Sequence, residues 1–293
     1  MQECGNAEIF DINFMNFMNF MNFINFMNSS ELKKITEQVC DLSIQTADFI
    51  HKEVDNLRTS DIEIKGIHNF VTYVDKVSEE RLVKGLSEIL PGTGFIAEEN
   101  PELEMKELNW VIDPLDGTTN FIHGVPVYSI SIALMEKKEV IVGVILEINQ
   151  NECFFTCKGS PSFLNGKQIR VSETARLADS LLATGFPYYD YSRIDPYMNF
   201  FRFLMEHSHG IRRLGSAAAD LAYVACGRFE GFYEYGLSPW DVAAGTILVR
   251  NAGGKVTDFN SGENYIFGKE IVATNNQIFQ EFMNNFTKLF RSS

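Results

Sequence analysis

From Ser29 onward the apolar positions fall into two rhythms, one helical and one of strands. Ile35, Val39, Leu42, Phe49, Ile50, Val54 and Leu57 recur mostly at steps of three and four, which predicts one long amphipathic helix with Ser30 as its cap. Residues 59–68 are polar and read as a loop. Phe70 to Val74 reads as a strand, followed by Asp75 and a second helix that stops before Pro91-Gly92. Phe95 to Ala97 is a short strand running into Glu98 and Glu99, and Trp110 to Ile112 is the next. Val127 to Met135 and Val140 to Glu147 flank Lys137-Lys138 as a hairpin, which Glu152 to Cys157 extends; Asn165-Gly166 marks a turn.

Beyond residue 175 the pattern changes. Leu181 to Ala183 and Phe232 to Glu234 are short apolar strands that alternate with helices. Ser216 to Ala225 is small and apolar, the mark of a tightly packed helix. Trp240 to Asn251 is another helix, closed by Gly253-Gly254. Ile271 to Ala273 is a final strand and Gln277 to Phe290 a final helix. The sum is an α+β first half and an α/β second half, with no long linker between them.

The N-terminus departs from both rhythms. A near-perfect Met-Asn-Phe triplet repeat runs from Asn13 to Asn28. A period of three builds no single helical face, because a turn takes about 3.6 residues. The segment lacks the basic start and clean apolar centre of a signal peptide. It reads as a low-complexity, disordered tail over residues 1–28, with Met21 or Met27 as equally serviceable starts; the sharper reading is a tail that touches membrane. The remainder divides into 29–175 and 176–293.

The 293 residues are 45% hydrophobic and 22% charged, which is a core-forming composition. A formal charge of −14 argues against a nucleic-acid surface, which needs clustered Lys and Arg. It equally opposes docking on anionic lipid by charge alone. No apolar run reaches transmembrane length. The five cysteines lack zinc-ribbon spacing and read as thiols of a reducing, cytoplasmic compartment.

Chemistry concentrates in Trp110-Val111-Ile112-Asp113-Pro114-Leu115-Asp116-Gly117-Thr118-Thr119-Asn120. A strand ends in two aspartates, then a glycine and two threonines. Pro114 fixes the chain between the acids, leaving the Leu115 carbonyl as a further oxygen donor. Gly117-Thr118-Thr119 opens a helix or tight turn whose backbone N–H groups can hold phosphate oxygens. No Lys or Arg occurs between Lys106 and Lys137, so a phosphate here meets no local cation. Bound Mg²⁺ supplies the missing charge, because it takes hard oxygen ligands from carboxylates and phosphate together. Asp75, Glu98, Glu99 and Asp241 also sit at predicted element ends, from which acids can converge on one crevice. Taken singly, each would serve as a cap or a turn residue.

These segments resemble the inositol monophosphatase family. Asp113 to Thr119 resembles its Asp-Pro-(Ile/Leu)-Asp-Gly-Thr-Thr signature, and Trp240 to Gly245 with Asn251 to Gly254 its second signature. Val71 to Asp75 resembles its Val-Thr-x-x-Asp element. Phe95 to Asn100, Gly215 to Ala218 and Gly227 to Gly236 also match, closest to bacterial members, and the whole covers residues 31–290. The resemblance implies a layered αβαβα sandwich of the inositol monophosphatase and fructose-1,6-bisphosphatase type. It implies that Glu98, Asp113, the Leu115 carbonyl, Asp116 and Asp241 hold two or three Mg²⁺ ions, with Asp75 and Thr118 preparing the attacking water and Glu98, the third catalytic residue, also touching metal-bound water. Gly117 and Thr118 would touch phosphate through their N–H groups; Asp116, Ser216, Ala217, Glu234 and Asp241 would contact the substrate.

The activity implied is hydrolysis of myo-inositol monophosphate by an in-line attack of water, in a cytoplasmic, lithium-sensitive homodimer. The same chemistry on a lipid-linked inositol headgroup, fructose 1,6-bisphosphate, adenosine 3′,5′-bisphosphate or histidinol phosphate is the alternative, and a non-catalytic regulatory member the lesser one. Ala97 and Pro239 depart from the family pattern, and Lys65 matches its basic position only loosely. His123 and His209 read as structural; Arg212-Arg213 could reach substrate phosphate, but they read at least as well as helix-end or subunit-contact residues and are placed outside the catalytic site.

Overall fold

The computed structural model describes residues 27–54, 56, 62–66, 69–187 and 189–290. Most of the repeat tail, Cys4, Leu57 and the side chain of Lys65 lie outside the described residues. Helix α1 (Ser29–Glu53) forms as its periodicity predicts, but Asn28 caps it rather than Ser30. The Asn28 side chain accepts from the Ser30 and Glu31 N–H groups, while Glu31 accepts from Asn28 N–H.

The expected loop 59–68 is in part a strand. β1 (Ile62–Gly66) pairs antiparallel with β2 (Asn69–Thr72). Its Ile-Glu-Ile-Lys alternation was masked by flanking polar residues. The strand read over Phe70 to Val74 ends early, because Thr72 caps α2 (Tyr73–Ile89) and Asp75 is the third residue of that helix.

A seven-stranded sheet follows: β3 (Gly94–Ala97), β4 (Leu108–Asp116), β5 (Ser129–Glu136), β6 (Glu139–Glu147), β7 (Glu152–Cys157), β8 (Phe163–Leu164) and β9 (Lys167–Gln168), ordered as in the chain. Only β3 and β4 run parallel; the other neighbours are antiparallel. The short helix α3 (Thr118–Ile122) leaves the end of β4.

The second sheet has the order β11-β10-β12-β14-β13, from β10 (Leu181–Thr184), β11 (Gly210–Arg212), β12 (Gly231–Tyr235), β13 (Lys255–Thr257) and β14 (Glu270–Thr274). Its β10 pairs parallel with both β11 and β12. The helices of this half are α4 (Ile194–His207), α5 (Ala217–Ala225), α6 (Pro239–Asn251) and α7 (Phe279–Phe290).

Three apolar clusters set the layer order. The first joins α1 and α2 to one face of the large sheet through Val39, Ile50, Leu82, Trp110 and Ile132. The second packs α5 and α6 between the two sheets through Val111, Ile145, Leu221, Leu248 and Phe232. The third covers the outer face of the small sheet with α4 and α7, where Phe200 meets Tyr233, Phe282 and Phe286 edge to face. The result is an αβαβα sandwich, as the resemblance implied. Among the described residues no helix is long and apolar enough to cross a membrane. Cys40, Cys153, Cys157 and Cys226 are free thiols.

A candidate metal and phosphate site

The fold brings chain ends from both sheets to one pocket. Strand β3 delivers Glu98, and β4 delivers Asp113, Leu115 and Asp116, followed by Gly117 and Thr118. The start of α5 brings Ser216 and Ala217, β12 brings Glu234, and α6 brings Asp241. Every predicted metal or substrate residue therefore lines one pocket. Asp75 lies behind it, reached through Thr118.

Local sequence explains why these groups point as they do. Pro114 and Leu115 break the β4–β5 register between Asp113 and Asp116, so both aspartates turn toward the pocket from one strand end. Gly117 follows with φ 101°, a left-handed conformation that favours glycine, and a Cβ there would meet the Val127 carbonyl at 3.1 Å. Thr118 then begins α3, whose first N–H groups lack intrahelical partners.

Each of the three aspartates Asp113, Asp116 and Asp241 has one oxygen tied to the scaffold. Leu115 N–H donates to Asp113 Oδ1 at 2.9 Å. The Ser216 hydroxyl and Ala218 N–H donate to Asp116 Oδ2, each at 2.7 Å. Ser238 N–H donates to Asp241 Oδ2 at 2.6 Å, the helix-start bond of α6, with Pro239 at the first helical position. Oxygens of Asp113, Asp116 and Asp241 lie within 4.8 Å of one another.

Buried carboxylates that close repel. Burial, followed by the charges of Asp241, Glu99 and Asp75, pushes Glu98 well above the ordinary range. Asp113 and Asp241 rise likewise, from burial first and neighbouring carboxylates next. Asp116 rises to about 6 by burial, restrained by the Ser216 and Ala218 bonds and by Arg213. Such a cage holds protons unless a cation replaces them. All-oxygen donors, negative charge and rigid mounts fit a divalent cation such as Mg²⁺.

Thr118 donates its hydroxyl to Asp75 Oδ1 at 2.8 Å, and is also 3.1 Å from the Leu115 carbonyl. The other Asp75 oxygen accepts from Thr72 N–H at 2.8 Å and Thr72 Oγ1 at 2.6 Å. Burial lifts Asp75 to about 6 against those bonds. The cap of α2 thereby fixes the acid that grips Thr118.

Two charged residues of the pocket were not placed in the site by the sequence reading. Arg213, read as a helix-end or subunit-contact residue, is the one Lys or Arg among the described residues lining the pocket. Its charge lowers the pKa of both Asp116 and Glu234. The cation absent from the local sequence comes from a hundred residues away, which no window around Asp113 could reveal. Asp220, on α5, also lines the pocket. His123 and His209 are exposed and do not line it.

The model of the Inositol monophosphatase family matches residues 31–289. The chain belongs to the inositol monophosphatase family. Inositol-1-monophosphatase of Mesorhizobium japonicum is 40% identical over 228 residues, covering 77% of this chain and 85% of that protein. Nus factor SuhB of Escherichia coli strain K12 is 44% identical over 223 residues, covering 75% and 84%. Among solved structures, the extragenic suppressor protein suhB of Bartonella henselae aligns with TM-score 0.82 at 35% identity, covering 87% of this chain and 99% of that one. Inositol monophosphatase from Anabaena aligns at 0.78 and 35%, covering 88% and 96%. The family match spans both sheets, so the pocket lies wholly within it.

Proposed function

We propose that the chain is a Mg²⁺-dependent phosphomonoesterase that hydrolyses myo-inositol monophosphate to inositol and phosphate. The observation that carries this reading is the carboxylate cage opening beside the Gly117-Thr118 turn, with Asp75 behind the threonine. Glu98, Asp113, the Leu115 carbonyl, Asp116 and Asp241 would hold two or three ions. Bound Mg²⁺ supplies charge to the phosphate oxygens and acidifies water.

The chain's own residues do the rest. Asp75 takes the Thr118 proton in a hydrogen bond, which leaves the threonine oxygen to accept from the attacking water. The Gly117 and Thr118 N–H groups hold the phosphate in line. Asp116, Ser216, Ala217 and Glu234 face the leaving alcohol, and Ser216 does so while fixing Asp116. No covalent enzyme intermediate is needed.

The test is phosphate release from myo-inositol 1-phosphate with Mg²⁺ and with chelator, in the wild type and in Asp113→Asn. A loss of more than about 100-fold in the variant is expected, on the scale seen when the support of a metal site is disturbed. Unchanged release would sink the reading. Parallel assays on fructose 1,6-bisphosphate, adenosine 3′,5′-bisphosphate, histidinol phosphate and a phosphoinositide vesicle rank the alternative substrates. The relatives named Nus factor SuhB favour a second reading, a binding role that does not require turnover. It predicts that Asp113→Asn supports growth as well as the wild type.

A further inference from the structure

Helix α5 has the sequence Ala-Ala-Ala-Asp-Leu-Ala-Tyr-Val-Ala, and its one charged residue is Asp220. The side chain is 1% exposed, and its Oδ1 has no hydrogen-bond partner. A buried carboxyl with an oxygen left without a hydrogen bond is costly, on a helix whose other residues are apolar but for the Tyr223 hydroxyl. Asp220 nevertheless lines the pocket. Its strongest charged neighbour is Glu234, then Asp116, with Arg213 opposing both.

Glu234 is recessed in the same wall. A Cβ on Gly185 would lie 2.0 Å from Glu234 Oε1, so the carboxyl occupies the space a side chain would take. Glu234 is 8% exposed. Two buried carboxyls therefore border the part of the pocket that receives the leaving alcohol under the proposed function. One arginine offsets three acids there: Asp116, Asp220 and Glu234. Burial raises all three carboxyls, and a carboxyl oxygen accepts from a hydroxyl with or without its proton, so a group rich in hydroxyl donors would meet acceptors.

We infer that Asp220 is a substrate-binding residue whose carboxyl takes a hydroxyl of the leaving alcohol and, with Glu234, selects polyol monophosphates over esters lacking free hydroxyls. This rests on the phosphatase reading, and it assigns Asp220 a contact that Glu234 alone does not make. The cost of burying the carboxyl is recovered when the polyol arrives.

The experiment uses the full chain with Mg²⁺ and two substrates, myo-inositol 1-phosphate and p-nitrophenyl phosphate, which has no hydroxyl to offer. Asp220→Leu should raise KM for the inositol ester about 10- to 100-fold, the range for leaving a buried polar group without its partner. Turnover of p-nitrophenyl phosphate should stay within about twofold. Asp220→Asn keeps an acceptor oxygen and the same shape, so it should lose less than Asp220→Leu. Equal losses on both substrates, an unmoved KM, or equal behaviour of the two variants would overturn the assignment.

Calorimetric titration of myo-inositol into the Mg²⁺- and phosphate-loaded protein reads the contact without turnover. Loss of binding in Asp220→Leu, with binding kept in Asp220→Asn, supports the assignment. Binding kept in Asp220→Leu, or absent from the wild type, overturns it. A wild type that binds inositol yet hydrolyses neither ester would instead overturn the phosphatase reading.

Discussion

Under the proposed function, Thr118 joins the chemistry to the scaffold through one hydroxyl. Its proton goes to Asp75, whose second oxygen belongs to the cap of α2. Thr118→Ser keeps the hydroxyl and should retain most activity. Thr118→Ala should lower kcat by about 10²- to 10⁴-fold, the usual weight of a positioned proton acceptor. Steady-state kinetics on the inositol ester decide it; comparable rates for the two variants would remove Thr118 from the chemistry. The acids of this site were legible because type and spacing are local properties: two aspartates at a strand end, with a proline between them. Arg213 and Asp220 were not. One acts across a long sequence separation, and the other matters because it is buried without a partner, a property of packing that no residue pattern carries.

At the scale of elements, four helix starts among the described residues use side-chain caps, and three of them belong to the site, that of α5 through the Ser216 hydroxyl, which accepts from Ala219 N–H. Asn28 caps α1, away from the pocket; Asp75 and Asp241 sit in the first turns of α2 and α6. Asn28→Ala should therefore cost about 1 kcal/mol of stability and leave kcat unchanged. Denaturant unfolding together with a rate measurement checks both halves, and a drop in kcat would contradict the separation. The long helices were readable because buried Leu32, Ile35, Val39 and Ile50 keep a helical period. Their first residues were not, because a cap is chosen by geometry: Thr72 looks like a strand residue until its hydroxyl accepts from Val74 N–H at 3.1 Å. The hairpin of β1 and β2 escaped for a related reason, since its register shifts between Ile64 and Gly66 and alternation is short.

The whole molecule carries a formal charge of −14 and gathers acids in one pocket. Burial raises Asp75 and Asp116 to about 6 and Glu234 to about 8. In the unfolded chain these groups lose protons near pH 4. Between about pH 4 and about pH 8 the folded, metal-free chain thus holds more protons than the unfolded one, and stability falls as pH rises. Melting in chelator should show a lower Tm at pH 8 than at pH 5, and Mg²⁺ should flatten the difference by supplying counter-charge. Equal Tm values in chelator would mean that the acids do not carry this strain. The order of layers was legible only through the family resemblance, because alternation shows which face of a strand is apolar but not which helices cover it. The packing of α5 and α6 between the sheets has a further consequence. The chain passes from one sheet to the other through residues 169–180, where Glu173, Ala175 and Arg176 are exposed. A polypeptide cut there would yield one fragment with Glu98, Asp113 and Asp116 and another with Asp241 and Glu234. Each would bare a broad apolar face and half of a reaction centre. Produced together, the fragments should associate and regain phosphatase turnover that neither has alone, making catalysis a gauge of reassembly.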